Sequence, residues 1–124
     1  MNYLNITQRQ FQNVTIFDLE GKIFIGESIV NFRQAIRNLS EENKKRILLN
    51  MTKITHIDSS GLGELVGGHL DSQKNGGEFK LLGLSGQVIE LMKMTRLLTV
   101  FETFEDETDA LNSFQIQQAT LVTK

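Results

Sequence analysis

The chain has 124 residues and a mass of 14.1 kDa, a length that favours one domain with its own hydrophobic core. It contains no cysteine, which excludes disulfides, thiolate metal ligands and cysteine nucleophiles. Thirteen basic and fifteen acidic side chains give a formal net charge of −2, without the positive excess that nucleic acids or anionic membranes attract. No apolar run approaches a membrane span, and the N-terminus lacks the pattern of a signal peptide. We therefore expect a cytoplasmic protein with no nucleic-acid or membrane partner.

The first third of the chain predicts a hairpin followed by a helix. Residues 4–12 form a weak, mostly polar candidate edge strand, and residues 14–19 a stronger one, rich in β-branched and aromatic side chains. The two are expected to turn at Gln12-Asn13, and the second strand to end at Gly21. After Gly26, apolar residues recur at spacings of three and four, which predicts an amphipathic helix. Its buried stripe is Ile29, Phe32, Ile36 and Leu39.

The remainder of the chain continues to alternate between strand and helix patterns. Short strands are predicted at 46–50 and 79–82, and a last one within 101–104. Three more helices are predicted, the second of them with Ser85 as its N-cap and the third with an acidic first turn at 106–109. The apolar positions expected to be buried in these helices are Leu62, Leu65, Val66, Leu70, Val88, Leu91, Met92, Ala110, Leu111 and Phe114.

This order of elements predicts an α/β fold in one domain, residues 1–114. We expect a mixed sheet of four or five strands packed by about four helices. From residue 115 onward the periodicity fades, so the segment 115–124 is expected to be a loosely ordered tail.

The segment Asp58-Ser59-Ser60-Gly61-Leu62-Gly63 joins a strand-like stretch to the second predicted helix. Asp and Ser cap helix N-termini because their side-chain oxygens accept hydrogen bonds from unpaired backbone N–H groups. The two glycines leave the first turn with little bulk, so another surface can approach the backbone. A hydroxyl here is expected to be exposed near the positive helix end, where a phosphate is stabilised. From the residues alone, a well-capped helix packed tightly on the sheet remains the simpler interpretation.

The wider segment from Ile54 to Gly63 closely resembles the signature of the STAS-domain anti-sigma factor antagonists. Gly21, the strand at 47–50, Gly76-Gly77 and the segment 92–97 also match that family. The resemblance covers roughly residues 4–114 and implies the STAS architecture for the domain.

The resemblance also implies a function. In that family the serine directly after the aspartate is the phosphoacceptor, which here is Ser59, with Ser60 as the second candidate. An anti-sigma factor that is itself a GHKL-type serine kinase adds the phosphate, and a PP2C-type phosphatase removes it. The unphosphorylated form binds the anti-sigma factor and so frees the sigma factor. The partner-binding residues that the resemblance implies are Asp58, Ser60, Gly61, Leu62 and Gly63.

One short stretch departs from the family pattern. Many members carry glycine, an acidic residue, an aliphatic residue and aspartate after the second strand, whereas this chain has Gly21-Lys22-Ile23-Phe24. Phe24 takes the place of the aspartate, which leaves open which partner kinase is recognised. The phosphoacceptor itself is unaffected.

The same residues are compatible with other functions. His56, Asp58 and His69 suggest a metal site, and Ser59 with either histidine suggests a hydrolase, but no nucleophile elbow is present. A phosphate-binding loop needs lysine where this chain has Glu64, so nucleotide binding is expected to be weak if it occurs. We therefore expect no enzyme activity, metal or cofactor. The main alternative to a switch is a non-switching scaffold subunit of a larger signalling or transport complex.

Overall fold

A computed structural model describes residues 3–114, in which five strands form one sheet in the order β1-β2-β3-β4-β5. The first two strands are antiparallel and the others are parallel, so the predicted mixed sheet is confirmed. The predicted tail, 115–124, lies outside the described residues. The elements are β1 (Leu4–Phe11), β2 (Val14–Ile23), α1 (Glu27–Glu41), β3 (Arg46–Ile57), α2 (Ser59–Lys74), β4 (Glu78–Leu82), α3 (Gly86–Met94), β5 (Glu102–Phe104) and α4 (Glu107–Asn112), with a 3-10 turn at Leu98–Val100 before β5.

The hairpin between β1 and β2 turns at Gln12-Asn13, as predicted, with Gln12 at a φ of 53°. The prediction that β2 ends at Gly21 is wrong, because the strand continues to Ile23. Gly21 has a φ of 121°, and the register of β2 against β3 shifts on either side of it. A side chain there would also strike the carbonyl of Tyr3. Glycine therefore bends the strand without ending it.

β3 is one strand of twelve residues, whereas the sequence predicted a short strand at 46–50 and a separate strand-like stretch at 54–57. Residues 47–50 pair with both neighbouring strands. The rest of β3 extends beyond β4 and pairs with β2 as far as Ile57 opposite Ile23. Exposed Thr52 and Lys53 break the apolar run, which is why the sequence pattern divided it. The extension carries the predicted phosphoacceptor segment to the end of the sheet.

Helices cover the two faces of the sheet unequally. α1, α2 and α3 pack on one face through a large core, and α4 packs on the opposite face over Val14, Ile16, Leu48 and Leu82. Most of the predicted buried positions are buried or half-buried. Leu70 is an exception, because it is 56% exposed. The inner face of α2 at this turn is formed by buried Gly68, where a Cβ atom would lie 2.8 Å from the Phe79 ring. The predicted cap of α3 is confirmed, because Ser85 accepts from Val88 N at 3.4 Å. Asp106, predicted to lie in the first turn of α4, is instead its N-cap and accepts from Asp109 N at 3.0 Å.

An ion-pair network on the α4 face predicts a specific loss of stability in acid. Arg9 of β1 donates to Asp18 of β2 at 2.6 and 3.0 Å, and to Glu107 of α4 at 2.8 and 2.9 Å. These bonds hold the pKa of Asp18 and of Glu107 below their usual range. Because the folded-state pKa values are depressed, this stabilisation is present at neutral pH and is lost as the pH falls below about 4. The side chains are a third or more exposed, so we expect about 1 kcal/mol in total.

The test is urea unfolding of the wild type and of Arg9→Met at pH 7 and at pH 3. The loss of unfolding free energy on acidification should be smaller in Arg9→Met, because its carboxylates titrate nearer their ordinary pKa values. Arg37→Met, at an exposed arginine of α1, is the matched control and should lose as much as the wild type. Equal acid sensitivity of the wild type and Arg9→Met would contradict the prediction.

Candidate functional site

Asp58 connects two segments that are far apart in sequence. It is the N-cap of α2, where its Oδ1 atom accepts a hydrogen bond from the backbone N–H of Gly61 at 2.9 Å. Its Oδ2 atom accepts from the backbone N–H of Ile25, in the loop between β2 and α1, also at 2.9 Å. One carboxylate therefore fixes both the first turn of α2 and the adjacent loop. The cap was expected from the sequence, but the bond to Ile25 spans 33 positions and has no local signal.

Ser59 is the first residue of α2 and is exposed, whereas Ser60 is half-buried. The helix has sixteen residues, so the aligned peptide dipoles place partial positive charge at its start. The hydroxyl of Ser59 thus lies at the surface beside a helix N-terminus, which confirms the exposure predicted from the sequence. A phosphate on this oxygen would face solvent or a partner and would not enter the core.

The two glycines of the segment have different environments. Gly61 is buried, and a Cβ atom there would lie 2.7 Å from Cγ1 of Ile57 and 2.9 Å from Cγ2 of Ile23. The expectation that Gly61 leaves room for another surface is therefore corrected, since its missing side chain allows α2 to pack on the strand ends. Gly63 is exposed, and a Cβ atom there would have no neighbour within 4 Å. The open backbone that the sequence suggested is thus found at Gly63.

Leu62 belongs to the core. Its side chain is 2% exposed, and it packs in the same cluster as Leu65 of the next turn. The resemblance implied a partner contact at Leu62, but no surface of this side chain is available in this structure. Its helical spacing, which matched a buried stripe, was the more accurate indication.

The loop that Asp58 holds presents an exposed apolar side chain close to Asp58, the residue before Ser59. Ile25 is 72% exposed at this loop, and Phe24 is half-buried with its ring 6.4 Å from the ring of His56. Ser28 closes the loop, because its Oγ donates to the Phe24 carbonyl at 2.8 Å and accepts from the Phe24 N–H at 3.1 Å. The sequence drew attention to Phe24 but not to Ile25. Two large apolar residues immediately before Gly26, beyond the end of a strand, were the available signal.

The histidines that the alternative functions would use, and Glu64, have other contacts in the structure. The His69 ring contacts the Phe101 ring at 5.4 Å, away from the Phe24 ring that contacts His56. Within residues 3–114 no group of three His, Asp or Glu side chains could hold a metal ion. Glu64, which replaces the lysine of a phosphate-binding loop, forms an ion pair with Arg33 at 2.7 Å. No helix in this part of the chain is long and apolar enough to cross a membrane.

Comparisons with known proteins agree with this architecture. The chain is 24% identical over 113 residues to the anti-sigma F factor antagonist of Paenibacillus polymyxa, covering 91% of this chain and 97% of that protein. An anti-sigma factor antagonist from Mycobacterium paratuberculosis has a similar structure, with a TM-score of 0.78, 17% identity, and coverage of 90% of this chain and 94% of that one. The phosphorylated form of the Bacillus cell fate determinant SpoIIAA gives a TM-score of 0.70 at 17% identity, covering 87% and 97%.

The two structural matches are below 25% identity and establish the fold alone. The family itself is established by sequence, because a model of the STAS domain matches residues 5–110. This match spans most of the chain and confirms the family predicted from the motif and the order of elements. The chain belongs to the STAS domain family.

Proposed function

We propose that this protein is a phosphorylation-controlled binding switch, an anti-sigma factor antagonist that acts without enzymatic activity of its own. In its unphosphorylated form it binds an anti-sigma factor, and phosphorylation of Ser59 releases that partner. The observation that carries the proposal is the exposed hydroxyl of Ser59 at the start of α2, next to the open turn at Gly63. Ser60, which is half-buried, is the weaker candidate for the acceptor.

The proposed partner surface consists of residues on both sides of Ser59. Gly63 offers open backbone on α2, and Ile25 offers an exposed apolar side chain on the neighbouring loop. Asp58 and Gly61 shape this surface without forming its contacts. Asp58 holds the loop and the helix together, and Gly61 allows α2 to lie close to the strands. In this proposal Leu62 stabilises the site from the core and makes no partner contact.

The chain supplies an acceptor hydroxyl, and the catalysis comes from its partners. A GHKL-type kinase, which is also the anti-sigma factor, would transfer the γ-phosphoryl group of ATP to Ser59 Oγ, leaving ADP and releasing the hydroxyl proton. A PP2C-type phosphatase would hydrolyse the phosphoserine with water and return the serine and inorganic phosphate. The kinase step requires ATP, which places the switch in the cytoplasm, where sigma factors also act. The STAS protein needs no cofactor for either step.

The charges around Ser59 explain how a phosphate could control binding. Asp58 is its neighbour in sequence, and Glu64 lies one turn further along α2, paired with Arg33. A phosphate adds about −1.5 to −2 charges at neutral pH. The helix N-terminus stabilises this charge in the free protein. A partner that covers the site must desolvate the phosphate next to Asp58, which makes binding of the phosphorylated form unfavourable.

The test is the intact mass of the purified chain after incubation with ATP and an extract of the source cells. We expect the wild type to gain the mass of one phosphate, Ser59→Ala to gain none, and the matched variant Ser60→Ala to gain one. Phosphate on Ser59→Ala with none on Ser60→Ala would move the acceptor to Ser60. If the wild type gains no phosphate under any growth condition, the switch fails and a non-switching scaffold is favoured.

A further inference from the structure

The edge of the sheet at β1 is long, and no strand within residues 3–114 pairs with its outer side. β1 pairs with β2 over eight residues, and the sheet order places it at the end of the sheet. The opposite edge, β5, has three residues and therefore offers little backbone for pairing. Short edge strands are one of the ways in which proteins prevent association between sheets. This protection is present at β5 and is missing at β1.

The hydrogen-bond pattern shows which backbone groups face the open edge. The N–H of Lys22 donates to the carbonyl of Tyr3 at 2.9 Å, and Phe11 pairs with Val14 across the two-residue turn. In an antiparallel ladder alternate residues bond to the neighbouring strand, so the odd-numbered residues of β1 bond to β2. The even-numbered residues direct their N–H and C=O groups outward, and these are Leu4, Ile6, Gln8 and Gln10.

The side chains of β1 do not prevent pairing with another strand. Edge strands are commonly protected by proline, lysine or a bulge, and β1 contains neither residue and pairs with β2 in continuous register. Its one charged residue, Arg9, is neutralised by Asp18 and Glu107. Tyr3 and Phe11, near the two ends of the strand, are 49% and 42% exposed. These features indicate an interface surface on an otherwise protected sheet.

We propose that β1 pairs antiparallel with β1 of a second copy, joining two sheets into one across a two-fold axis. Pairing along the whole strand places Thr7 on the axis, with Asn5 of one copy opposite Arg9 of the other. Tyr3 then lies opposite Phe11 of the second copy, and cross-strand aromatic pairs stabilise sheets. No like charges meet in this register. Identical strands with an antiparallel arrangement satisfy the self-complementarity that a two-fold interface requires.

A groove next to the edge supports a second copy as the occupant. It lies between β1 and α1, has a volume of about 250 Å³, and is lined by Ile6, Gln8, Phe17 and Leu39 among others. In the paired arrangement Gln8 of the second copy lies opposite Ile6, at the mouth of this groove. Both copies bring the same groove to the axis, so the same contacts form twice. The Ser59 site lies at the end of β3, two strands away, and remains accessible in the dimer.

The first test is the concentration dependence of mass by analytical ultracentrifugation. We expect the wild type to reach twice 14.1 kDa at high concentration. Gln8→Pro removes an outward N–H that has no partner in β2, and Thr7→Lys brings two lysines together on the axis. Each should raise the dimer dissociation constant by at least about tenfold. Thr7→Val, which keeps a neutral β-branched residue, is the matched control and should dimerise like the wild type.

Amide hydrogen exchange gives a readout that does not depend on any variant folding. On dimerisation the even-numbered amides of β1 should gain protection, whereas the odd-numbered ones are protected at every concentration by β2. A wild type that stays monomeric at all concentrations would overturn the proposal. So would a dimer whose even-numbered amides exchange freely, or protection of these amides in the monomer, which would mean that another segment covers the edge.

Discussion

Ser59→Asp is expected to weaken binding of the proposed anti-sigma partner by at least about thirtyfold, while Ser59→Ala keeps the affinity of the wild type. The exposed serine hydroxyl can remain hydrated or hydrogen-bonded when a partner covers it. A carboxylate in its place must lose water beside Asp58, and an unpaired charge buried in an interface costs about 2–5 kcal/mol. The phosphorylated protein carries more charge than the aspartate variant, so its loss of affinity should be larger.

The measurement is isothermal titration calorimetry with the proposed kinase partner, captured from the source cells by the wild-type chain. Ser40→Asp is the matched control, because it makes the same change in net charge at an exposed serine of α1. Ser40 lines a pocket with Ile47, at the start of β3, whereas Ser59 follows the end of that strand. The two serines therefore lie near opposite ends of β3. Ser40→Asp should bind like the wild type. Equal weakening by both variants would mean that net charge, and not the local site, controls binding.

The parts of the fold that the sequence predicted correctly depend on local interactions. The turn at Gln12-Asn13 and the cap at Ser85 involve residues within a few positions of one another, so the local sequence pattern is enough to predict them. The apolar stripe of α1 was predicted correctly for the same reason. β3 was divided in error because its exposed middle residues, Thr52 and Lys53, interrupt the pattern that a continuous strand should show.

The details of the site that were missed depend on contacts between distant segments. The sequence places Ile25 and Asp58 far apart, and only the fold brings the Ile25 N–H to the carboxylate. The same holds elsewhere in the fold. Buried Lys80 of β4 donates to the Ser113 carbonyl at 3.0 Å and lies over the Phe114 ring, and no sequence pattern predicts this contact. The motif predicts Ser59 as the phosphoacceptor through family resemblance, but it could not show which neighbouring side chains reach the surface.

Gly61 and Gly63 look alike in the sequence, but the fold gives them different surroundings and so different tolerance of a side chain. We expect Gly61→Ala to lower the unfolding free energy by about 3 kcal/mol and the melting temperature by about 10 °C, because its Cβ would overlap the strand ends. The Ile23 carbonyl and the side chains of Ile23 and Ile57 are all too close to accommodate a methyl group. Alanine retains the backbone N–H that donates to Asp58, so the helix cap is kept. The loss of unfolding free energy is therefore steric.

Gly63→Ala is the matched control and should behave in the opposite way. Its methyl group enters open space on an exposed turn, and alanine is favoured over glycine in a helix by about 1 kcal/mol, so this variant should be as stable as the wild type or more so. Thermal unfolding of the two variants measures the difference. If Gly63 is where the partner approaches the backbone, Gly63→Ala should also bind the partner more weakly, although it is the more stable protein. A pair of variants with equal stability would mean that α2 can move away from the strand ends, and the rigid placement of Ser59 would then be wrong.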